Sequence, residues 1–327
     1  MNKRREAAAI LLAVLLFAIV SHLLGQILMP VRNEYGSDWD HYLQEEPNSL
    51  DLLFFGSSLV YCDVIPAVIW RESGLRSYVL AGPEQTIPTS YYYIKEAFST
   101  QQPKLIVLEA TGMFYPEYTN YTKANIGYMP WGLSRLEATF CAAEQEERFG
   151  LLFPLYNYHY RWQDVTLSDI RQRLFPQQSL LAGYTLLTDS CQPPEVRDRD
   201  YTADSDNYRN NLEYVAHIRD LCAREGAQLL LYIAPSAGRI PADALDTLKA
   251  DLSALGVTLE DHNDNIPEMG LDDSRDWFDY LHFNVYGAEK FSVFLARQLE
   301  GYGFPVSDGQ QDLWQARLEH LQLQTTP

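Results

Sequence analysis

Two short stretches carry residue types able to do nucleophilic chemistry. Phe54-Phe55-Gly56-Ser57-Ser58-Leu59 reads as an apolar run breaking into a turn of small residues. A nucleophilic serine needs its hydroxyl presented at a strand end, with free backbone amides nearby to hold an oxyanion, and Gly56 permits the tight approach. Late in the chain, Asp279-Tyr280-Leu281-His282-Phe283-Asn284 sets an acid and an imidazole three residues apart, on one face of a turn. His282 can act there as general base toward a serine, with Asp279 orienting its ring. Each stretch alone has a plain structural reading. Gly-Ser-Ser suits any strand-to-helix turn, and Asp279 can cap a helix beside a surface histidine.

These residues need a scaffold that joins distant parts of the chain. Residues 51–55, 77–80, 104–109 and 228–233 read as short buried strands, and 257–260 as a weaker one. Between them, 90–98, 210–224 and 288–299 have helical character. In 210–224 the apolar Leu212, Val215, Ile218, Leu221 and Cys222 recur at helical spacing before Gly226. This alternation predicts an α/β fold, a three-layer α/β/α sandwich with a parallel sheet. The rhythm fails at 114–205, which is rich in Tyr, Trp, Pro and Gln. This stretch is expected to be an insertion over the carboxyl ends of the strands, where open α/β sheets place their sites. The chain then divides into 1–30, 31–48 (a polar linker from about Asn33), 49–301 and a polar tail 302–327 with a short helix near 313–323.

A serine turn after the first strand, with Asp-x-x-His before the last helix, resembles the SGNH (GDSL-type) hydrolase superfamily. Gly56-Ser57-Ser58-Leu59 is similar to its first block, with Ser58 at the nucleophile position and Ser57 where many members carry Asp. Asp279 and His282 match the last block. Gly82, in Leu80-Ala81-Gly82, looks like the second-block glycine whose amide joins that of Ser58 in the oxyanion hole. The resemblance spans 51–299 and departs at the third block. There Glu109-Ala110-Thr111-Gly112-Met113 replaces the family's Gly-x-Asn, and the Thr111 hydroxyl is the substitute donor expected. Losing one oxyanion donor costs on the order of 100-fold in rate or more, which argues against fast hydrolysis.

Within the superfamily the chain is similar to membrane-anchored members that include the teichoic-acid D-alanyl-transfer protein, partners of membrane-bound O-acyltransferases. That resemblance implies that Ser58 accepts an acyl group outside the membrane and passes it to a cell-envelope polysaccharide or teichoic acid. A plain esterase using the same three residues is the alternative. A non-catalytic scaffold that binds a membrane O-acyltransferase is another.

The first residues bear on this. Residues 7–29 form an apolar run broken only by Ser21, His22, Gly25 and Gln26. A bilayer core needs about 20 such residues, and Lys3, Arg4 and Arg5 before them belong on the cytoplasmic side. The expectation is a retained single-pass anchor in the lipid bilayer, with the rest extracytoplasmic. No small-x-small cleavage site follows the run. The 44 acidic against 25 basic residues would repel phosphate backbones, so nucleic acid is not an expected partner.

Tyr156-Asn157-Tyr158-His159-Tyr160-Arg161-Trp162 is dense in groups that stack on sugars or bind anions, which makes His159, Arg161 and Trp162 candidate substrate contacts. A Tyr-rich lid packing on the sheet is the competing reading. No metal or other cofactor is expected, and His262 with Asp261 and Asp264 reads as a solvated loop. Cys62, Cys141, Cys191 and Cys222 read as buried thiols in preference to a Cys141–Cys191 disulfide. Asn120-Tyr121-Thr122 matches a glycosylation sequon but is set aside, because the resemblance implies a bacterial source.

Overall fold

The structure is a computed structural model that describes residues 3–32, 35–191, 195–305 and 309–325. Asn33, where the polar linker was expected to begin, lies outside the described residues.

Helix α1 (Lys3–Leu28) is long and apolar enough to cross a membrane. After α2 (Trp39–Tyr42) the chain enters β1 (Leu52–Gly56), which runs at once into α3 (Ser58–Tyr61) and then α4 (Pro66–Ser73). Strand β2 (Ser77–Ala81), helix α5 (Ile87–Ala97) and strand β3 (Leu105–Glu109) follow. Among the described residues the insertion holds five short α-helices: α6 (Thr122–Tyr128), α7 (Leu133–Cys141), α8 (Arg148–Leu152), α9 (Pro154–Tyr158) and α10 (Leu167–Leu174). It ends in the two-residue strand β4 (Arg197–Asp198). Then come α11 (Asp206–Glu225), β5 (Gln228–Ile233), β6 (Gly238–Arg239), α12 (Ala242–Ala254), β7 (Thr258–Asp261) and α13 (Ile266–Met269). Helices α14 (Val285–Glu300) and α15 (Gln311–Thr325) close the chain.

The main sheet is parallel throughout, in the order β2-β1-β3-β5-β7, and β4 pairs with β6 in a separate ribbon. Leu52 faces Ser77 on one side and Leu105 on the other, so β1 is fully enclosed. Alternate residues of each strand point to opposite faces. Phe55, Leu80, Leu108 and Leu231 pack under α5, α11 and α12. Phe54, Val79, Val107 and Leu230 pack under α4 and α14. Burying each such side chain contributes roughly 1.5–3 kcal/mol, and apolar runs covered on both faces are what a parallel sheet requires. The order reverses between β2 and β3, which makes the carboxyl end of β1 the crevice of the sheet.

Several local expectations are corrected. The segment read as a polar linker supplies Trp39 and Tyr42, each 1% exposed, to the core. Trp39 meets Tyr93 edge to face, so this stretch is part of the domain rather than a tether. The tail likewise belongs to the fold. Trp314 of α15 stacks near Trp70 of α4, and Arg317 is fully buried against Glu45. His262 is not solvated. It lies among the rings of Tyr232, Phe291 and Phe294, and burial lowers its pKa to about 4. Of the four thiols only Cys62 and Cys222 are buried. Cys141 is exposed and Cys191 half-buried.

Candidate active site

Strand β1 ends at Gly56, whose φ of +142° is a conformation that a side chain would strain. A Cβ there would also come within 2.8 Å of the Glu109 Cβ, so the tight turn out of β1 needs glycine. Ser57 then caps α3, its hydroxyl accepting from the Leu59 amide at 3.4 Å. Ser58 is the first residue of that helix. Its own amide has no carbonyl of the helix within reach, as the first turn of any helix dictates.

His282 arrives from the far end of the chain in a turn closed by its neighbours. Trp277 pairs with Phe283, and the Phe278 amide donates to the His282 carbonyl at 3.0 Å. Inside this turn one Asp279 oxygen accepts from the amides of Leu281 and His282, at 2.7 and 2.8 Å. The same carboxylate meets His282 Nδ1 at 2.9 and 3.0 Å. Phe283 is buried, and its amide donates to the fully buried Asp63 at 3.0 Å. Asn284 caps α14 through the amides of Tyr286 and Gly287. The imidazole is thus fixed by backbone bonds on both sides.

His282 Nε2 lies 2.7 Å from Ser58 Oγ. The carboxylate at Nδ1 selects the tautomer with the proton on that nitrogen, leaving Nε2 to accept from the serine hydroxyl. Burial works to raise the Asp279 pKa. The bonds from His282 and from the Leu281 and His282 amides outweigh it and hold the carboxyl below its ordinary value. Asp63 goes the other way: burial pushes it well above the carboxylate range, against the Phe283 amide it accepts. Serine, base and orienting acid are therefore in continuous contact, the arrangement that activates a hydroxyl for attack.

The expected oxyanion donors stand differently. The Gly82 amide donates to the Gly56 carbonyl at 3.2 Å, extending the β1–β2 ladder by one bond. The Thr111 hydroxyl donates to Glu109 Oε2 at 2.6 Å, and its amide to Oε1 at 3.0 Å. Both groups are thus engaged in bonds of their own, and neither bond involves Ser58. Burial raises Glu109 to about 7 in spite of these bonds.

Ser58 and His282 line a cleft of about 520 Å³. The insertion forms much of its wall, with Tyr115, Tyr118, Asn120, Glu144, Arg199 and Tyr201. Arg199 lies over the Tyr201 ring at 4.6 Å and makes no ion pair among the described residues. Sequence reasoning singled out none of these as cleft residues, since the insertion has no periodicity to read. Asn120 was set aside as part of a sequon. His159, Arg161 and Trp162 lie elsewhere and are not cleft residues. His159 bonds the Tyr156 carbonyl, Arg161 bonds the Leu28 carbonyl at the end of α1, and Trp162 is 68% exposed. Among the described residues no group of three His, Cys, Asp or Glu could hold a metal ion.

The chain matches no protein-family model and no curated protein. Among solved structures it is similar to a candidate acylhydrolase from Bacteroides fragilis, at 11% identity over 81% of this chain and 99% of that one, with a TM-score of 0.38. It is also similar to a gut microbial diltiazem-metabolizing enzyme, at 13% identity over 80% of this chain and 49% of that one, with a TM-score of 0.28.

Proposed function

We propose that this chain is an extracytoplasmic, membrane-held acyl transferase in which Ser58 takes up an acyl group and passes it to a hydroxyl of a cell-envelope polymer. The observation that carries the reading is the unbroken contact from Ser58 Oγ through His282 to Asp279 on a cleft. As Ser58 Oγ attacks the acyl carbonyl, its proton passes to His282 Nε2, while Asp279 at Nδ1 stabilises the charged ring. In this reading the Ser58 amide, at the first turn of α3, is the donor assigned to the developing oxyanion. Collapse expels the donor's leaving oxygen or sulfur, which takes the proton back from Nε2 and leaves an ester on Ser58. An acceptor hydroxyl then gives its proton to Nε2, attacks the ester and regenerates Ser58.

With the Gly82 and Thr111 donors engaged elsewhere, the cleft stabilises an oxyanion poorly, which disfavours fast turnover of simple esters. An acceptor held beside acyl-Ser58 recovers rate through proximity that a passing water does not have. The basic Lys3, Arg4 and Arg5 at the start of α1 support an orientation with that end in the cytoplasm and the cleft outside it. The acyl donor in this reading is a membrane-bound O-acyltransferase, and the acceptor is a polysaccharide or teichoic acid. The size of the cleft also favours a second reading, a hydrolase of small esters.

The test is to acylate Ser58 with an activated ester and follow the acyl group in the presence of polyol or glycan acceptors. Transfer to the acceptor ahead of water supports the first reading, and prompt release as the free acid supports the second. No Ser58-dependent acylation at all would leave only a scaffold role.

A further inference from the structure

Helix geometry leaves the last carbonyls of α1 without partners inside the helix. Side chains of the insertion satisfy the chain there. Arg161 donates to the Leu28 carbonyl at 2.8 Å, and Arg173 donates to those of Met29 and Pro30 at 3.2 and 2.5 Å. The Tyr128 hydroxyl donates to Pro30 at 3.0 Å. Cations at a helix carboxyl end also meet its negative dipole. One turn earlier, a Cβ on Gly25 would fall 2.6 Å from the Leu155 amide, so α1 and α9 meet almost backbone to backbone. The His22 ring meets Trp131 edge to face at 4.7 Å. The end of α1 is therefore docked on the insertion, not merely joined to it.

Around that docking point the insertion exposes large apolar side chains. Phe149, Phe153 and Tyr156 form one ring cluster, with centroids 5.0 and 5.1 Å apart. Tyr160 and Trp162 flank Arg161, and Phe175 follows Arg173. These six side chains are between 48% and 71% exposed. With about 150–250 Å² per whole aromatic side chain, these exposures leave roughly 550–950 Å² of open apolar surface, at or above the largest patch that a soluble monomer ordinarily shows. A helix that crosses a bilayer carries whatever is docked on its end to headgroup level, where Trp and Tyr are the preferred residues.

We infer that these rings lie in the outer headgroup layer of the membrane that α1 spans, so that this part of the insertion is a lipid-facing foot of the domain. The inference rests on reading α1 as a membrane span and adds a second, peripheral contact that holds the domain at one height and tilt.

The full-length protein is reconstituted into phosphatidylcholine vesicles with and without brominated acyl chains, beside its Trp162→Phe variant. The difference emission between the two isolates Trp162. It is expected to be blue-shifted and quenched about twofold by the brominated lipid, as for a ring ~5–10 Å into the headgroup–acyl boundary. It should also be shielded from aqueous iodide. Because Trp162 is off the cleft, the variant should react with a serine-directed probe at the rate of the unaltered protein. Carbonate washing separates the two ways of failing. Protein that resists the wash yet shows an unquenched, iodide-accessible Trp162 overturns the foot and keeps the anchor. Protein that washes off overturns both.

Discussion

Glu109 takes both the hydroxyl and the amide of Thr111, at 2.6 and 3.0 Å, and so holds that hydroxyl beneath the cleft rather than in it. Thr111→Val should therefore leave the acylation rate within about threefold, while an oxyanion donor would cost on the order of 100-fold or more. Stability should fall by about 1–3 kcal/mol, because a buried acceptor loses its partner. Single-turnover kinetics beside urea denaturation give both readouts. Asn120→Ala is the complementary variant. If this cleft amide supplies the donor that Thr111 does not, acylation should slow about tenfold or more with substrate affinity little changed.

A fluorophosphonate should label the protein at Ser58, and Ser58→Ala should abolish the label in a gel assay. Ser57→Ala should keep most of it. The cost there falls on stability, about 1 kcal/mol for losing the cap of α3. Labelling that followed Ser57 instead would assign the nucleophile to the wrong serine.

His282→Ala should suppress labelling as fully as the loss of Ser58, because the hydroxyl is a weak nucleophile without its base. Asp279→Asn should reduce it by on the order of 10³–10⁴-fold through the wrong imidazole tautomer. The double variant His282→Ala Asp279→Asn should be no worse than His282→Ala alone, since the three groups act as a unit. Additive losses in stopped-flow labelling would show that they do not.

Glu109 sets a pH dependence whose sign follows from its environment. Burial raises its folded pKa to about 7 from an ordinary 4.5, so between these values the folded state binds more protons than the unfolded one. Its contribution to stability is present at low pH and is lost as pH rises through this window, on the order of 3 kcal/mol in all. Glu109→Gln should flatten that part of the profile and raise the Tm relative to the unaltered protein above pH 7. Thermal melts from pH 4.5 to 8 decide it, and parallel profiles for the two proteins would refute the assignment.

Arg317 and Glu45 form an ion pair that is closed to solvent on both sides. Arg317→Met should cost about 3–5 kcal/mol by leaving Glu45 buried and alone. The Glu45→Leu Arg317→Met double variant should recover most of that loss. Chemical denaturation of these two variants, of Glu45→Leu and of the unaltered protein measures the coupling, and equal stability of Arg317→Met and the double variant would argue against it.

The strands were legible because each is a short apolar run bounded by Gly, Pro or polar residues, and burial on both faces demands such runs. Ser58 and His282 were legible because a nucleophile at a strand end and an Asp-x-x-His turn are local patterns. What surrounds them was not. Trp39 and Tyr42 sit among polar residues, and only the partner rings Tyr93 and Tyr78 make them core. His262 lies between acids in sequence but between aromatic rings in space. The misplacing of Gly82 and Thr111 has a similar cause. Which hydrogen bond a group has already made is set by Gly56 and Glu109, and residue type does not encode that choice.

Arg32 donates to the Asn125 side chain, and Asn125 lies directly against Gly82 in the turn after β2. This short relay runs from the end of α1 to the edge of the sheet crevice, and it changes how far the site can reach. On a flexible tether, reach grows with roughly the square root of the number of residues. In the proposed reading, where α1 crosses a bilayer, a packed body and not a chain sets the separation between that bilayer and Ser58. Breaking the Arg32–Asn125 bond would loosen the relay without extending the working radius, so the acceptor of the proposed transfer has to be long enough to come to the serine.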